Sequence, residues 1–483
     1  MSSPKYKLHF ASSIIQTLKE IKTLFIPAFI VLAANGFRIN INSFESVMEL
    51  IPVIIILGIF VYTIFQGIIK WLTFTYWVED QELKTEYGFL LKKKRYVPME
   101  RIQNVNYNEG IIHRIFNLVQ LSIETAGGSS AKADIELSAI TKEAAGEVER
   151  WINQSTSPVE KTEGEAKSRT IYKMNNQDLL LLATTSNGIG VVLAGVGAVL
   201  SQFSQYIPFE LITSQFSFLL KYGFMLVIGL IILALLISWA ISVAMTYLAY
   251  YSFTLSFSDD QLEITRGLLE KKKVTIPINK IQAIKIVENP IRQLFGYAHV
   301  SIENAGASMT SASEKKIILL PFIKKKQIEE ILQLITPTTS FDMEDAIYSP
   351  VKARPLFYRK FIWIITPITI ALAIWVSTYF LLLFIMLALI VSLCFSQHRN
   401  ASFKLENERI TIQYRVINKV TFIVQRNKIQ ALQMTQTIFQ KRLGIYTGVI
   451  HVMGNMGGVK AKIVHQSKDD LKPVYHFIQK RDV

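Results

Sequence analysis

The chain has 483 residues, half of them apolar and only 18% charged, with 52 lysines and arginines against 37 aspartates and glutamates for a net charge of +15. A soluble chain of this length would carry roughly a quarter charged residues, so the charge deficit and the positive mean hydropathy point to a membrane protein and exclude disorder. A single cysteine, Cys394, rules out an intramolecular disulfide and any cysteine-rich zinc site.

No small-residue cleavage site follows the first apolar run, so the N-terminus is expected to stay uncleaved. Crossing about 30 Å of hydrocarbon takes roughly 20 apolar residues, and segments approaching that length come in pairs. Residues 24–37, which include Pro27, pair with 50–69, and 179–200 pair with 223–248. The uncharged run 361–395 is long enough for two short spans folded near Ser377, Thr378 and Tyr379. Six membrane helices in three hairpins are therefore expected. The implied division is an N-terminal segment and first hairpin to residue 70, a polar domain at 71–153, a linker at 154–178, and a second hairpin at 179–250. A second domain follows at 251–336, then a linker at 337–360, a third hairpin at 361–396 and a third domain at 397–483. Both linkers are rich in Ser, Thr and Pro or acidic residues and are expected to be mobile.

The three polar domains repeat one another. At a constant offset of 179, Asp80 meets Asp259, Gly88 meets Gly267, and Lys92, Lys93 and Lys94 meet Lys271, Lys272 and Lys273. Pro98 meets Pro277, and Ser122, Ile123 and Glu124 meet Ser301, Ile302 and Glu303. Residues 101–128 give 10 identities in 28 ungapped positions with the second copy. A third copy, offset by a further 148, keeps Lys428, Ile429, Gln430 and Gly444, but Gln425 and Val449 replace the proline and the serine.

Each copy begins with period-two alternation, as at Leu262 and Ile264, and ends in a helical pattern. The closing faces are Ile140, Ala144, Val148, Trp151 and Ile152; Ile328, Ile331, Leu332 and Ile335; and Leu471, Val474, Tyr475 and Ile478. Strands closed by one helix in such a length predict a small curved sheet or barrel capped by its C-terminal helix.

Apolar helix pairs followed by "GLLEKKKVTIPINKIQAI" and "FGYAHVSIENAG" resemble the bacterial pleckstrin-homology (PH) type 2 family. The opening "KYKLHF", the stretch "YKMNNQDLLLLATTSNG" and the triple layout are similar to its larger members. The resemblance implies three hairpins, each followed by a cytoplasmic PH-like domain.

Charge gives the same orientation. The proposed outer turns hold Arg38, with Lys221 at a helix end, and the other 50 basic residues fall on the opposite side, which the positive-inside rule assigns to the cytoplasm. The expected location is a bacterial plasma membrane, multi-pass, with both termini cytoplasmic.

No nucleophile elbow, phosphate loop or paired-histidine zinc helix occurs, and the seven histidines are scattered, so neither an enzyme, a metal site nor a cofactor is expected. Asp259 and Asp260 are adjacent and read as a turn. The repeated runs Lys92, Lys93, Lys94, Arg95 and Lys271, Lys272, Lys273 carry the strongest candidate surface. Each cation beside an anionic leaflet contributes about 1 kcal/mol. Anionic lipid headgroups and a merely solvated hairpin are evenly weighed alternatives. The recurring pairs Arg101/Gln103, Lys280/Gln282 and Lys428/Gln430 flank an inward isoleucine. On one strand both polar side chains would share a face, and hydrogen bonding to a neighbouring segment is favoured over ligand binding. Nucleic acid is disfavoured because no aromatic residues interleave the basic runs.

The resemblance implies a scaffold in membrane protection. Its setting would be self-immunity to, or export of, a membrane-active peptide of the leaderless bacteriocin type. Implied partners are membrane lipids, a smaller single-domain PH-like membrane protein, a cationic peptide and an ABC exporter. The alternative is a component of a peptide or lipid transport complex or an envelope-stress system.

Overall fold

The computed structural model describes residues 4–34, 51–89, 91–125, 134–156, 169–186, 223–258, 260–304, 317–335, 343–359, 361, 380–406, 408–453 and 458–479. The first repeat starts with a two-residue strand, β1 (Tyr6–Lys7), followed by helices α1 (Ala11–Ala34) and α2 (Ile51–Thr73). Next come β2 (Thr75–Glu79), β3 (Glu82–Tyr87), β4 (Lys93–Pro98), a 3-10 turn at Met99–Arg101 and β5 (Ile102–Glu109). Helix α3 (Ile111–Ile115), β6 (Leu118–Thr125), β7 (Ile135–Thr141) and α4 (Lys142–Thr156) complete it.

The second repeat has β8 (Arg169–Lys173), α5 (Asn176–Thr184), α6 (Gly223–Tyr250), β9 (Thr254–Ser258), β10 (Gln261–Arg266) and β11 (Lys271–Pro277). A turn at Ile278–Lys280 leads to β12 (Ile281–Glu288), α7 (Pro290–Leu294), β13 (Tyr297–Asn304), β14 (Ile317–Lys324) and α8 (Lys325–Ile335). In the third, β15 (Ile347–Tyr348) and a turn at Val351–Ala353 precede α9 (Phe380–Arg399), β16 (Ser402–Glu406), β17 (Arg409–Arg415) and β18 (Lys419–Gln425). A turn at Arg426–Lys428, β19 (Ile429–Thr435), α10 (Ile438–Leu443), β20 (Ile445–Val452), β21 (Val459–Ser467) and α11 (Lys468–Gln479) end the chain's described elements.

The strands form four sheets in the orders β1-β2-β3-β4, β7-β6-β5-β11-β10-β9-β8, β14-β13-β12-β18-β17-β16-β15 and β19-β20-β21. Each seven-stranded sheet joins the last three strands of one repeat to the first four of the next. The joints are antiparallel pairings of β5 with β11 and of β12 with β18. Local turn chemistry sets the hairpins. Asp80 and Gln81 take φ of 55° and 59°, the conformation of a two-residue hairpin turn whose twist matches its strands. Asp260 does the same at 61°, in keeping with a turn, and Asp259 lies outside the described residues.

One element of each repeat departs from the expected boundaries. Strands β1, β8 and β15 precede the apolar helices yet pair with strands that follow them, as in Tyr6 with Tyr76, Arg169 with Phe257 and Ile347 with Phe403. Residues 169–178 and 343–359 of the expected linkers therefore belong to the next repeat and 154–156 to the closing helix of the first, while 157–168, 337–342 and 360 lie outside the described residues. These strands have two to five residues, too few for alternation to register, and long apolar segments separate them from their partners.

Helix α1 also starts before the expected span of 24–37. Its first turn is anchored, with Ala11 and Ser12 fully buried, the Ser12 and Ser138 hydroxyls 2.6 Å apart and Gln16 Nε2 donating to Ser138 Oγ at 2.7 Å. Of the six expected spans, two, Ile54–Thr73 and Ile231–Tyr250, are long and apolar enough to cross a membrane among the described residues. Most of their side chains face outward, where a soluble protein would bury them. Most of the third expected span and nearly all of the fifth lie outside the described residues.

The chain forms two compact units, and the second repeat contributes to both. In unit 1 the first repeat closes two sheets and a helix on one core. Tyr76, Leu83 and Val97 meet Val119, Leu121, Ile123 and Leu137, with Val148 and Ile152 of α4. Unit 2 contains the corresponding core of the third repeat, with Phe403, Ile412 and Phe422 against Ile450 and Ile463, and Leu471 and Val474 of α11. The predicted face of α8 is buried at all four positions, whereas Tyr475 of α11 is exposed and Ile140 belongs to β7.

Candidate membrane-facing surface

In every repeat the hairpin before the 3-10 turn points its tip at the end of an apolar helix. Gly88 N donates to Thr73 Oγ1, on the last residue of α2, at 3.1 Å. Gly267 N donates to Tyr251 O at 2.8 Å and Leu268 N to Leu248 O at 2.9 Å, beside the end of α6. Gln397 Nε2, near the end of α9, donates to Val416 O at 2.7 Å. The first two tips require glycine. Gly88 and Gly267 have φ of +110° and +108°, and a Cβ would lie 2.2 Å from Leu91 O and 2.1 Å from Glu270 O. The third tip is shorter and built without glycine.

All three tips present apolar side chains to the outside. Phe89 and Leu91, Leu268 and Leu269, and Val416 and Ile417 are between 37% and 79% exposed. The short helices do likewise with Ile111 and Ile115, Ile291 and Leu294, and Ile438 and Phe439. These features adjoin: Arg114 Nη1 of α3 donates to Leu268 O at 2.9 Å, and Arg415 Nη2, before the third tip, donates to Gln293 Oε1 of α7 at 2.5 Å. Where an apolar helix leaves a bilayer, its end marks the interface. Full burial of one Leu or Phe there contributes about 1.5–3 kcal/mol. The apolar tips escaped the sequence reading, although the glycine, apolar pair and lysine run in "GFLLKKK" and "GLLEKKK" carried the signal.

The two basic runs have different surroundings. Lys92 is 3.6 Å from Glu86, which also lies 3.9 Å from Lys5, and Arg95 donates to Asp134 O. Lys93 and Lys94 are exposed and make no ion pair among the described residues. Strand β4, which carries the run, is the last in its sheet. Lys271, Lys272 and Lys273 instead lie inside a sheet, opposite Glu109, Asn108 and Tyr107 of β5. Lys272 is 3.9 Å from Glu270, and Lys273 lies 2.9 Å from Glu263 and 4.0 Å from Glu149, over the Tyr107 ring. Burial, and then Glu149, which accepts the phenol's hydrogen bond at 2.9 Å, push the Tyr107 pKa up.

In the third copy Lys419 occupies the corresponding place in β18. It is 3.7 Å from Glu288, whose carboxylate also lies 3.8 Å from Lys325. Burial pulls the Lys419 ammonium below the ordinary lysine range, and Glu288 offsets part of that.

The Arg/Lys-x-Gln motif is a structural device, and its two polar residues do not share a strand. Arg101, Lys280 and Lys428 each end a 3-10 turn. Gln103, Gln282 and Gln430 are the residues skipped by the strand register, each the extra residue of a β-bulge. Gln282 Nε2 donates to Lys280 O and Lys428 Nζ to Asn279 O, both at 3.1 Å. The side chain of Gln103 is outside the described residues, and Arg101 and Gln430 are exposed. In the first Ser-Ile-Glu, Glu124 is buried and accepts from Asn104 Nδ2 at 3.0 Å and Asn106 Nδ2 at 3.1 Å. That satisfies a buried carboxylate inside the sheet. Among the described residues no three His, Cys, Asp or Glu side chains gather where they could hold a metal ion.

The model of the family described as "Bacterial PH domain" matches residues 24–156, 177–338 and 365–482. The chain is also similar to a Bacillus subtilis (strain 168) protein named UPF0699 transmembrane protein YdbT, with 32% identity over 466 residues, 92% of each chain. No solved structure matches it.

Proposed function

The chain belongs to the bacterial PH domain family and is a membrane protein with repeated PH domains, and on that premise we propose that it is a non-enzymatic, multi-pass scaffold of the bacterial plasma membrane. Six helices hold it there, and the three repeats lie on the cytoplasmic leaflet. The observation that carries this reading is the set of three exposed apolar hairpin tips, each hydrogen-bonded to the end of an apolar helix. Beside the first tip, Lys93 and Lys94 face outward and meet anionic headgroups. The scaffold's role is protection of the membrane against a membrane-active peptide, in concert with a smaller single-domain PH-like membrane protein. The family resemblance supports that setting.

The full chain is expressed in a host sensitive to such a peptide, alone and together with a single-domain relative. The expected result is raised tolerance in at least one case, reduced when Phe89 and Leu91 are changed to serine or Lys93 and Lys94 to glutamate. Unchanged sensitivity in both cases removes the protective role. A reporter fused after Val483 should be active in the cytoplasm, and its export would overturn the orientation.

A further inference from the structure

Among the described residues the same strand pairing occurs twice, and one strand of each type is left at the edge of its sheet. In the first joint Glu109 faces Lys271 and Val105 faces Thr275; in the second Glu288 faces Lys419 and Ile284 faces Ile423. Glu109 and Glu288 are equivalent by the 179-residue repeat, and Lys271 and Lys419 by the 148-residue repeat, so both joints use one register. Among the described residues the three copies of each strand type form two such pairs. What remains is β4, the counterpart of β11 and β18, and β19, the counterpart of β5 and β12. Each is the terminal strand of its sheet.

Exposure marks both edges as incomplete. Tyr96 of β4 is 52% exposed, whereas its counterparts in the joints, Thr275 and Ile423, are each 5% exposed. Met434 of β19 is 42% exposed and its counterpart Ile286 is 6% exposed. The backbone groups on an open edge are a template for another strand.

We infer that β4 of one copy adds to β19 of a second copy, head to tail, in the register of the internal joints. Tyr96 then faces Leu432, Arg95 faces Gln433, Lys94 faces Met434, Lys93 faces Thr435 and Lys92 faces Gln436. Charge selects this pairing over its rival. Lys92, Lys93, Lys94 and Arg95 make β4 repel a second β4, because like charges on directly opposed strands are destabilising. Strand β19 has no charged residue, so it accepts the basic strand without conflict. The association is heterologous, the same surface never meeting itself.

The test uses full-length chains in the membrane. One copy has Tyr96→Cys, the other, differently tagged, has Leu432→Cys, and the two are co-expressed and mildly oxidised. A covalent pair bearing both tags is expected. Val105→Cys with Thr275→Cys, in one chain, supplies the same facing geometry internally and should close without joining two copies. Co-purification of the two tags from detergent, without any cysteine change, reads the same association independently. Met434→Lys, which sets a cation against Lys94, should lower co-purification by roughly threefold, and Lys94→Glu in the other copy should restore it. Absence of co-purification, failure of the charge exchange to restore it, or a bridge from Tyr96→Cys to some other protein in place of Leu432→Cys would each overturn the pairing.

Discussion

Strands β4 and β11 lie in nearly the same sequence, a run of three lysines following an apolar hairpin tip that begins one residue before β4 and at the start of β11, and they end in opposite circumstances. Among the described residues strand β4 has a neighbouring strand on one edge alone and two lysines without an ionic partner, while β11 is enclosed between β5 and β10, with Lys273 held by Glu263 and Glu149. A repeated motif therefore does not carry one repeated role. In the middle of the chain the lysine run is part of an internal joint, and only at the first repeat does it remain available to a headgroup or another strand. The joints themselves also differ. Glu288 and Lys419 are almost completely enclosed, with side chains 6% and 12% exposed, whereas Glu109 pairs with Lys142, which is 45% exposed.

The difference between the joints yields the largest expected effect. Glu288→Gln leaves Lys419 buried beside a neutral partner and should cost about 3 kcal/mol at neutral pH, read from amide exchange of β12 and β18 in the full-length chain. Glu109→Gln, whose partner keeps its water, should cost under about 1 kcal/mol. Equal costs would break the distinction. The pH dependence follows from Lys419. The folded chain holds this proton less tightly than the unfolded chain, so stability rises as pH climbs from the depressed value to the ordinary lysine value of 10.5. In Glu288→Gln the folded value falls further, and the rise should begin at lower pH.

The hairpin tips should behave alike, because their geometry is local. Gly88→Ala and Gly267→Ala each force a side chain into a positive-φ position against a carbonyl oxygen, and both should cost about 1–3 kcal/mol, with loss of accumulation in the membrane as the simplest readout. A harmless change at either glycine would show that its tip can rearrange.

The smallest effects separate the two lysine runs most directly. Lys273→Glu introduces a third carboxylate beside Glu263 and Glu149 and should cost about 1–2 kcal/mol of stability. Lys94→Glu, at the equivalent position and opposite Glu86 of β3, should cost less than about 1 kcal/mol. It should instead weaken binding to anionic vesicles added to the detergent-purified full-length chain. If Lys94→Glu destabilises as much as Lys273→Glu, β4 is not an open edge.

Much of this architecture was legible in the sequence, for reasons that are local. Gly88 and Gly267 recur because only glycine fits the tips, Ile328, Ile331, Leu332 and Ile335 share a face because of helical periodicity, and the Lys-x-Gln pairs recur because each turn is followed by a bulge. The bulge itself was not legible. Alternation predicts a regular strand, and an extra residue shows only once its partner strand is known. The strands before the helices were missed for a similar reason, since Tyr6 and Lys7 become a strand only by meeting Tyr76 and Thr75.

The sequence by itself determined the repeat, the apolar helices, the glycine tips and the capping helices, all of which depend on side-chain pattern within a short stretch. The tertiary structure alone decided which strand lies beside which. Strand pairing is made by backbone N–H and C=O groups that every residue carries, so "KKK" reads the same on a sealed joint and on an open edge. Only the position of a repeat in the array shows that β11 and β18 have a neighbour on both edges and that β4, among the described residues, has one on its β3 side alone.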